Sequence, residues 1–297
     1  MSLDTLLCVC FGVLTAVVNA IALASQHIAS SRVPSTGRGW RFVLDLLKQP
    51  LWLLGWLALL GSLVFQSLAL HFGPVGLVQP LLISELIVAL VIRRLWLHQQ
   101  LRTITIASAI LTTGLLILFV TFASPSSGQS TTSGLKWLVT VATCSLVVAI
   151  LVLVARGGSV RRKAGLLGMA TAIMWALEAV LIKVFTDSVT SSGYLGTLAH
   201  WPIYAFAGCG VAGLFCEQAA LHVGPLSVSQ PFIVIVDPLI SVILGVVLFA
   251  ERWQGGAVRL AAGAVLLGAI SVGAWVLIKT GPETMAGSHQ PVSKRSA

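Results

Sequence analysis

Four carboxylates lie inside long apolar segments of the sequence: Glu85, Glu178, Glu217 and Asp237. An ionisable side chain within a membrane span costs about 3 kcal/mol or more, so such residues are functional candidates by default. We expect no lysine or arginine at comparable depth, because Lys183 lies close to the end of its predicted helix and can extend its ammonium to the membrane surface. An interior with acids and no bases favours protons, metal cations or organic cations over anions.

Glu85 and Asp237 are the pair of acids that we expect to act together. Each lies about eleven residues into the predicted helix that follows a Gly-Pro link, so both are predicted near the membrane midplane. The structural alternative is that each acid is protonated and hydrogen-bonded to a neighbouring helix. Glu217 lies about one turn from the end of its segment, where an interfacial acid is the simpler interpretation.

Helical spacing places further polar side chains on the same faces as these acids. Gln230, Asp237 and Ser241 follow one another at i, i+7 and i+11, which predicts one polar stripe along a helix. Similar stripes occur on the predicted first, second and sixth helices. The predicted substrate- or ion-binding residues are therefore Asp237, Glu85, Glu178, Gln230, Ser241, Asn19, Gln26, Gln66, Trp175 and Glu217.

Prolines and glycines within the predicted helices have two interpretations. Pro80, Pro231 and Pro238 each remove an amide donor, and the loosened carbonyls of such helices commonly line substrate sites. For Pro80 and Pro231, a place in the first or second helical turn explains the residue equally well. Gly210 and Gly213 precede Glu217 on one face, which favours a packing seam between helices.

The composition shows which elements must position these residues. Of the 297 residues, 57% are hydrophobic and 9% are charged, and the mean hydropathy is +0.98. A chain of this composition has more apolar surface than the core of a soluble protein can bury. A span needs about 20 apolar residues. Nine segments qualify: Thr5–Gln26, Leu51–Leu70, Val75–Leu95, Ile104–Phe122, Leu135–Ala155, Gly165–Phe185, Pro202–Leu221, Leu226–Phe249 and Ala257–Ile278.

The sequence contains an internal repeat. Gln66–Pro80 (QSLALHFGPVGLVQP) returns as Glu217–Pro231 (EQAALHVGPLSVSQP), at the same position in each half. Four helices precede a Ser/Gly-rich linker, a fifth crosses alone and four more follow, so the second unit must begin on the opposite side of the membrane. We therefore predict an all-α membrane protein with two inverted four-helix repeats at 1–122 and 157–280, joined by a linker and linking helix at 123–156. Residues 281–297 are predicted to form a disordered cytoplasmic tail.

The charge distribution predicts the orientation. The formal net charge of +9 could indicate nucleic-acid binding, but the basic residues lie at the ends of the spans and instead follow the positive-inside rule. With the N-terminus outside, four of the 18 basic residues remain outside: Lys136, Lys183, Arg252 and Arg259. We therefore predict that the N-terminus lies outside and the C-terminus in the cytoplasm. The tryptophans near the span ends are predicted interfacial anchors: Trp52, Trp96, Trp137, Trp201 and Trp253. Trp40–Lys48 is a predicted interfacial helix.

Other classes of chemistry find little support in the sequence. The five cysteines fall in apolar segments without metal-ligand spacing, and small buried hydrophobes are the expected role. No nucleophile has a base at readable spacing, and neither a phosphate-binding glycine loop nor an ATP-hydrolysing domain is recognisable. We predict no catalytic residue, no cofactor and no enzyme activity, and the sequence does not specify a set of metal ligands.

The repeated Ala-Leu-x-x-Gly-Pro-x-x-x-x-Gln-Pro segments resemble the drug/metabolite transporter superfamily. The glycine-bearing Ala107–Gly114 and Ala261–Gly268 resemble the final helix of each half, and Trp175 followed by Lys183 resembles the first helix of an EamA-type half. Nine helices, with a basic link after the first, are similar to NIPA-type magnesium transporters. The resemblance implies alternating access by two inverted halves around a central cavity.

Three functions follow as alternatives. The first is a secondary transporter of a small polar or cationic solute, coupled to protons, in a bacterial cytoplasmic membrane. The second is a magnesium or divalent-cation transporter, since such an ion needs only one or two carboxylates. The third is a non-transporting membrane partner or lipid-handling protein. A homodimer is compatible with each of them.

Overall fold

The computed structural model describes residues 2–32, 48–96, 100–122, 125–126, 128, 133–224, 226–253 and 256–280. The predicted interfacial helix, apart from Lys48, and the predicted tail lie outside the described residues. Within them the protein is helical apart from two short strands. The elements are α1 (Leu3–Arg32), α2 (Pro50–Phe72), α3 (Val75–Leu82), α4 (Ser84–Trp96), α5 (Thr103–Phe122), β1 (Pro125–Ser126), α6 (Gly134–Ala155), α7 (Val160–Leu198), α8 (Trp201–Val223), α9 (Leu226–Phe249), β2 (Arg252–Trp253) and α10 (Gly256–Thr280).

The predicted number of membrane spans is confirmed. The described part of the chain contains nine helical spans that are long and apolar enough to cross a membrane, with α3 and α4 together forming the third, Val75–Ile92. Several helices begin where the sequence supplies a starting signal. Ser133 and Ser159 cap α6 and α7 through their side-chain oxygens, and Pro50 opens α2.

Helix α7 is longer than the sequence predicts. The apolar segment Gly165–Phe185 lies within a helix that extends to Leu198, beyond the polar residues that follow Phe185. No glycine or proline interrupts the chain before Gly193, so nothing stops the helix there. Gly193 has a φ of 70° and lies at a kink, a conformation that favours glycine.

Only the first of the three helix prolines accompanies a break in the described helices. Pro80 has no amide hydrogen, and α3 ends two residues later, at Leu82. Ile83 then joins α3 to α4 through short bonds: its amide donates to the Pro80 carbonyl at 3.2 Å, and its carbonyl accepts from the Leu86 amide at 3.1 Å. By contrast, α9 continues through both Pro231 and Pro238.

The two halves have matching helix neighbours. Helix α1 packs against α2, α3 and α4, as α7 packs against α8 and α9, and the last helices of the halves, α5 and α10, pack against each other. Contacts of α2 with α7 and of α3 with α9 join the halves. These neighbours fit a duplication, whereas the inverted relation of the halves and the domain boundaries stay predictions.

Helix α7 is the most buried span. In its most apolar 18-residue window 78% of the residues are buried, compared with 17% in α6. Small residues of α7, such as Ala170, Ala172 and Ala176, are fully buried and allow close approach of neighbouring helices. The linking helix α6 leaves large apolar side chains exposed, as a helix that faces lipid does.

The start of α1 lies beside the α2–α3 turn, and the end of α10 lies beside the start of α5 at the opposite end of the bundle. We call these two ends the N-terminal side and the C-terminal side. On the C-terminal side, the Thr105 hydroxyl donates to the Thr280 carbonyl at 2.8 Å. On the N-terminal side, Pro125 and Ser126 pair antiparallel with Trp253 and Arg252.

The prediction that Trp137 is an interfacial anchor is wrong. Its ring is only 6% exposed and packs edge-on against Trp201, with centroids 5.4 Å apart, and against Phe249. Sequence position alone could not distinguish this tertiary cluster from an anchor, because both place an aromatic ring near the end of a span.

Candidate functional site

Glu85 is held by a side chain from the other end of the first half. It lies in the first turn of α4, directly after the break that follows Pro80. The Asn19 side-chain amide on α1 donates to Glu85 Oε2 at 2.6 Å. Asn19 and Glu85 were both predicted site residues, and the structure brings them into direct contact across 66 residues of sequence.

Asp237 lies inside α9, directly before Pro238. The Ser241 hydroxyl, one turn later on the same helix, donates to Asp237 Oδ1 at 3.0 Å. Ser241 is fully buried. The predicted polar stripe therefore forms a hydrogen bond at this point, and Asp237 keeps a second carboxylate oxygen that can accept from a bound ligand.

Glu178 and Trp175 are seated on two glycines of α8. Glu178 Oε1 lies 3.0 Å from the point where a Cβ on Gly210 would stand, and the Trp175 ring lies 3.2 Å from the corresponding point on Gly213. The glycine stripe on α8 is therefore a packing seam between α7 and α8. It supports the site by making room for Glu178 and Trp175.

The four acids interact electrostatically two by two, and no hydrogen bond joins one acid to another among the described residues. Glu178 lies within electrostatic range of Asp237, and Glu85 lies within electrostatic range of Glu217. All four side chains are partly accessible, although Glu85 and Asp237 lie deep among protein atoms.

Three predicted glutamines contribute less clearly to the site. Gln26 on α1 packs against Gly55 of α2, and its side-chain nitrogen is buried without a hydrogen-bond partner in the described structure. Gln66 and Gln230 are half-buried. Among the described residues, no hydrogen bond joins any of these three amides to the acids.

The expectation that Lys183 extends to the membrane surface is wrong. Lys183 is only 7% exposed, and its ammonium donates to the Leu70 carbonyl at 2.7 Å and to the Gly73 carbonyl at 3.2 Å. These carbonyls lie at the end of α2, where backbone acceptors lack helical partners and a positive charge is favoured. The interior on the N-terminal side therefore contains a base.

Glu251 is a buried acid that the sequence prediction missed. It is 4% exposed and accepts from the Val75 amide at 2.7 Å and from the Gly76 amide at 3.0 Å. Burial raises the pKa of the Glu251 carboxyl above its usual range, while both backbone donors and the Lys183 ammonium act in the opposite direction. Glu251 follows an apolar span directly and lies outside the repeated segments, so nothing in the sequence indicated this contact.

The described residues contain no group of three or more histidine, cysteine or acidic side chains arranged to hold a metal ion. The two acid pairs are the sites at which a cation could be held. In each pair one carboxylate already accepts a hydrogen bond from a neutral donor, Asn19 or Ser241, which fixes its orientation.

Comparison with known proteins adds one relative. The chain is 25% identical over 252 residues to an uncharacterized protein of Corynebacterium glutamicum, covering 84% of this chain and 87% of the relative. No protein-family model matches the chain. No solved structure matches it either.

Proposed function

We propose that this protein is a secondary transporter of the drug/metabolite transporter type, which moves a small polar or cationic solute by alternating access. The observation that carries the proposal is the two pairs of acids within a bundle of nine apolar spans, Glu178 with Asp237 and Glu85 with Glu217. A cation that enters between two such carboxylates relieves their mutual repulsion, so the pairs favour positive charge.

Proton coupling follows from the same acids. Each pair can be neutralised either by protons or by a cationic solute, so the two ligands compete for one site. Asn19 and Ser241 hold one carboxylate of each pair in place during the exchange, since each donates through a neutral group that serves either protonation state of its acid. We place the protein in a bacterial cytoplasmic membrane with the N-terminus outside, as the positive-inside rule supports; the bacterial origin of the relative agrees with this membrane.

Asp237→Asn tests the proposal. Asparagine keeps the shape of the acid and the oxygen that accepts from Ser241, but it cannot ionise. We expect the variant in proteoliposomes to lose proton-coupled uptake of cationic solutes while its thermal stability in detergent stays close to that of the parent. Asp4→Asn, which changes an exposed acid at the start of α1, is the matched control. Uptake with unchanged rate and pH dependence in Asp237→Asn would show that Asp237 has a structural role.

Magnesium transport is a second candidate, which the nearness of Glu178 and Asp237 supports. Mg²⁺ keeps several of its waters and is commonly bound by one or two carboxylates. Uptake of Mg²⁺ into proteoliposomes without a proton gradient, abolished by Asp237→Asn, would favour this candidate. A protein that moves neither organic cations nor Mg²⁺ in such a screen would instead fit a non-transporting membrane partner or lipid-handling protein.

A further inference from the structure

The turn between α2 and α3 is held by two charged side chains from the second half of the chain. Lys183 binds the Leu70 and Gly73 carbonyls at the end of α2, and Glu251 binds the Val75 and Gly76 amides at the start of α3. We call Lys183, Glu251 and residues 70–76 the turn clamp. It joins the two halves on the N-terminal side through four hydrogen bonds to backbone groups.

The charges of the turn clamp match the two helix ends that they bind. A helix C-terminus favours a cation and an N-terminus favours an anion, and both contacts here are buried, where such interactions are stronger than in water. Lys183 also lies 5.8 Å from the centre of the Phe249 ring and within electrostatic range of Glu251. Releasing either side chain leaves its buried backbone partners without that hydrogen bond, so both contacts oppose opening of the turn.

The segment that carries Glu251 is fastened to the rest of the N-terminal side. Ser126 pairs with Arg252 in the short sheet. Gly128 lies so close to the Phe249 carbonyl and the Glu251 amide that no side chain would fit there. The described residues of the links that follow α5 and α9 therefore lie together at this end of the bundle.

We propose that the turn clamp is the gate that closes the N-terminal side of the bundle, and that Glu251 must leave the start of α3 before the acid pairs become accessible from that side. The proposal rests on the proposed alternating access. It adds to it the location of one gate and the contact that breaks. Helix α3 leads from the clamp to the break before Glu85, so a movement of the α2–α3 turn is transmitted to the carboxylate that Asn19 holds.

Cys8 provides a probe that does not require a known solute. It is fully buried against the turn, where a Cβ on Gly73 would clash with its Sγ. In a variant whose other cysteines are replaced by alanine, a membrane-impermeant maleimide added from the N-terminal side reports whether the turn has moved. The replaced residues are Cys10, Cys144, Cys209 and Cys216.

We expect slow labelling of Cys8 in the parent and labelling about tenfold faster or more in Glu251→Ala, because the loss of a hydrogen bond to a charged group shifts an equilibrium by about that factor. Glu251→Gln keeps one acceptor oxygen and should label at an intermediate rate. Asp4→Ala removes an exposed acid near Cys8 and should leave the rate unchanged. Equal labelling of Glu251→Ala and its parent, or equally fast labelling of Asp4→Ala, would overturn the proposal.

A cross-link across the short sheet tests the same gate in the opposite direction. Ser126 and Arg252 are direct partners in the antiparallel pair, a geometry within reach of a disulfide. With Glu251 present and Cys8 as the only other thiol, oxidised Ser126→Cys/Arg252→Cys should label at Cys8 more slowly than the same protein after reduction, because the cross-link holds the segment that carries Glu251. With Glu251→Ala the cross-link should no longer protect Cys8, because the segment then lacks its contact with the turn. Equal labelling before and after reduction with Glu251 present would refute the gate. If the clamp controls labelling but no solute or ion is transported, the gate stands and the proposed function fails.

Discussion

Gly168→Ala should separate α7 from α9 and destabilise the protein. A Cβ at Gly168 would stand 2.8 Å from the Ser229 carbonyl oxygen and 3.1 Å from the Ser229 Cα. Both atoms belong to the backbone of α9, so no side-chain rotation relieves the clash. The helices must move apart by about 0.6 Å, the difference between 2.8 Å and the 3.4 Å at which ordinary contact begins.

The cost can be bounded from this geometry. Overpacking a close-packed interior destabilises a protein by about 1–3 kcal/mol. Replacing glycine by alanine in a helix stabilises it by up to about 1 kcal/mol, because alanine has the higher helix propensity. A Cβ at Gly208, on α8, would meet nothing within 4 Å, so Gly208→Ala gains the propensity without the clash. We therefore expect Gly168→Ala to be less stable than Gly208→Ala by about 1–3 kcal/mol.

Thermal unfolding of both variants in detergent measures this difference. At roughly 2–4 °C per kcal/mol for a chain of this size, the two midpoints should differ by at least about 2 °C. The displacement also moves Glu178, on α7, relative to Asp237, on α9, so solute affinity should fall in Gly168→Ala and not in Gly208→Ala. Equal midpoints for the two variants would show that the α7–α9 contact at Ser229 is not tight.

Two further outcomes follow from the contacts described above. Lys183→Met should lower the free energy of unfolding by about 1–3 kcal/mol, measured in detergent, because the Leu70 and Gly73 carbonyls lose their buried donor. Asn19→Leu should weaken cation binding to proteoliposome-reconstituted protein, measured by solute competition, because Glu85 loses the donor that orients it.

The spans were predictable because hydropathy acts over about 20 consecutive residues and needs no knowledge of neighbours. The Asp237–Ser241 contact was predictable for a related reason, since residues four apart share one face of a helix. The prediction of α7 ended too early because polarity was taken as the end of the helix, whereas the backbone changes only at Gly193.

The contacts that join distant segments could not be derived in the same way. Asn19 and Glu85 were both candidates, but nothing in their spacing pairs them across the bundle. Lys183 reaches Leu70 over 113 residues, and Glu251 reaches Val75 over 176 residues. From sequence alone, a charged residue at the end of a membrane span is expected to contact water. Only the packed structure shows that Lys183 and Glu251 instead bind backbone groups at helix ends.

The turn clamp also bears on the order in which the protein is made. Synthesis runs from the N-terminus, so α2 and α3 are made before Lys183. Glu251, which binds the Val75 and Gly76 amides, is made later still. The newly made first half therefore has an α2–α3 turn whose polar backbone groups depend on water or lipid headgroups. The backbone groups of this turn find their protein partners only when the second half packs against the first. The first repeat therefore depends on the second repeat to complete its fold.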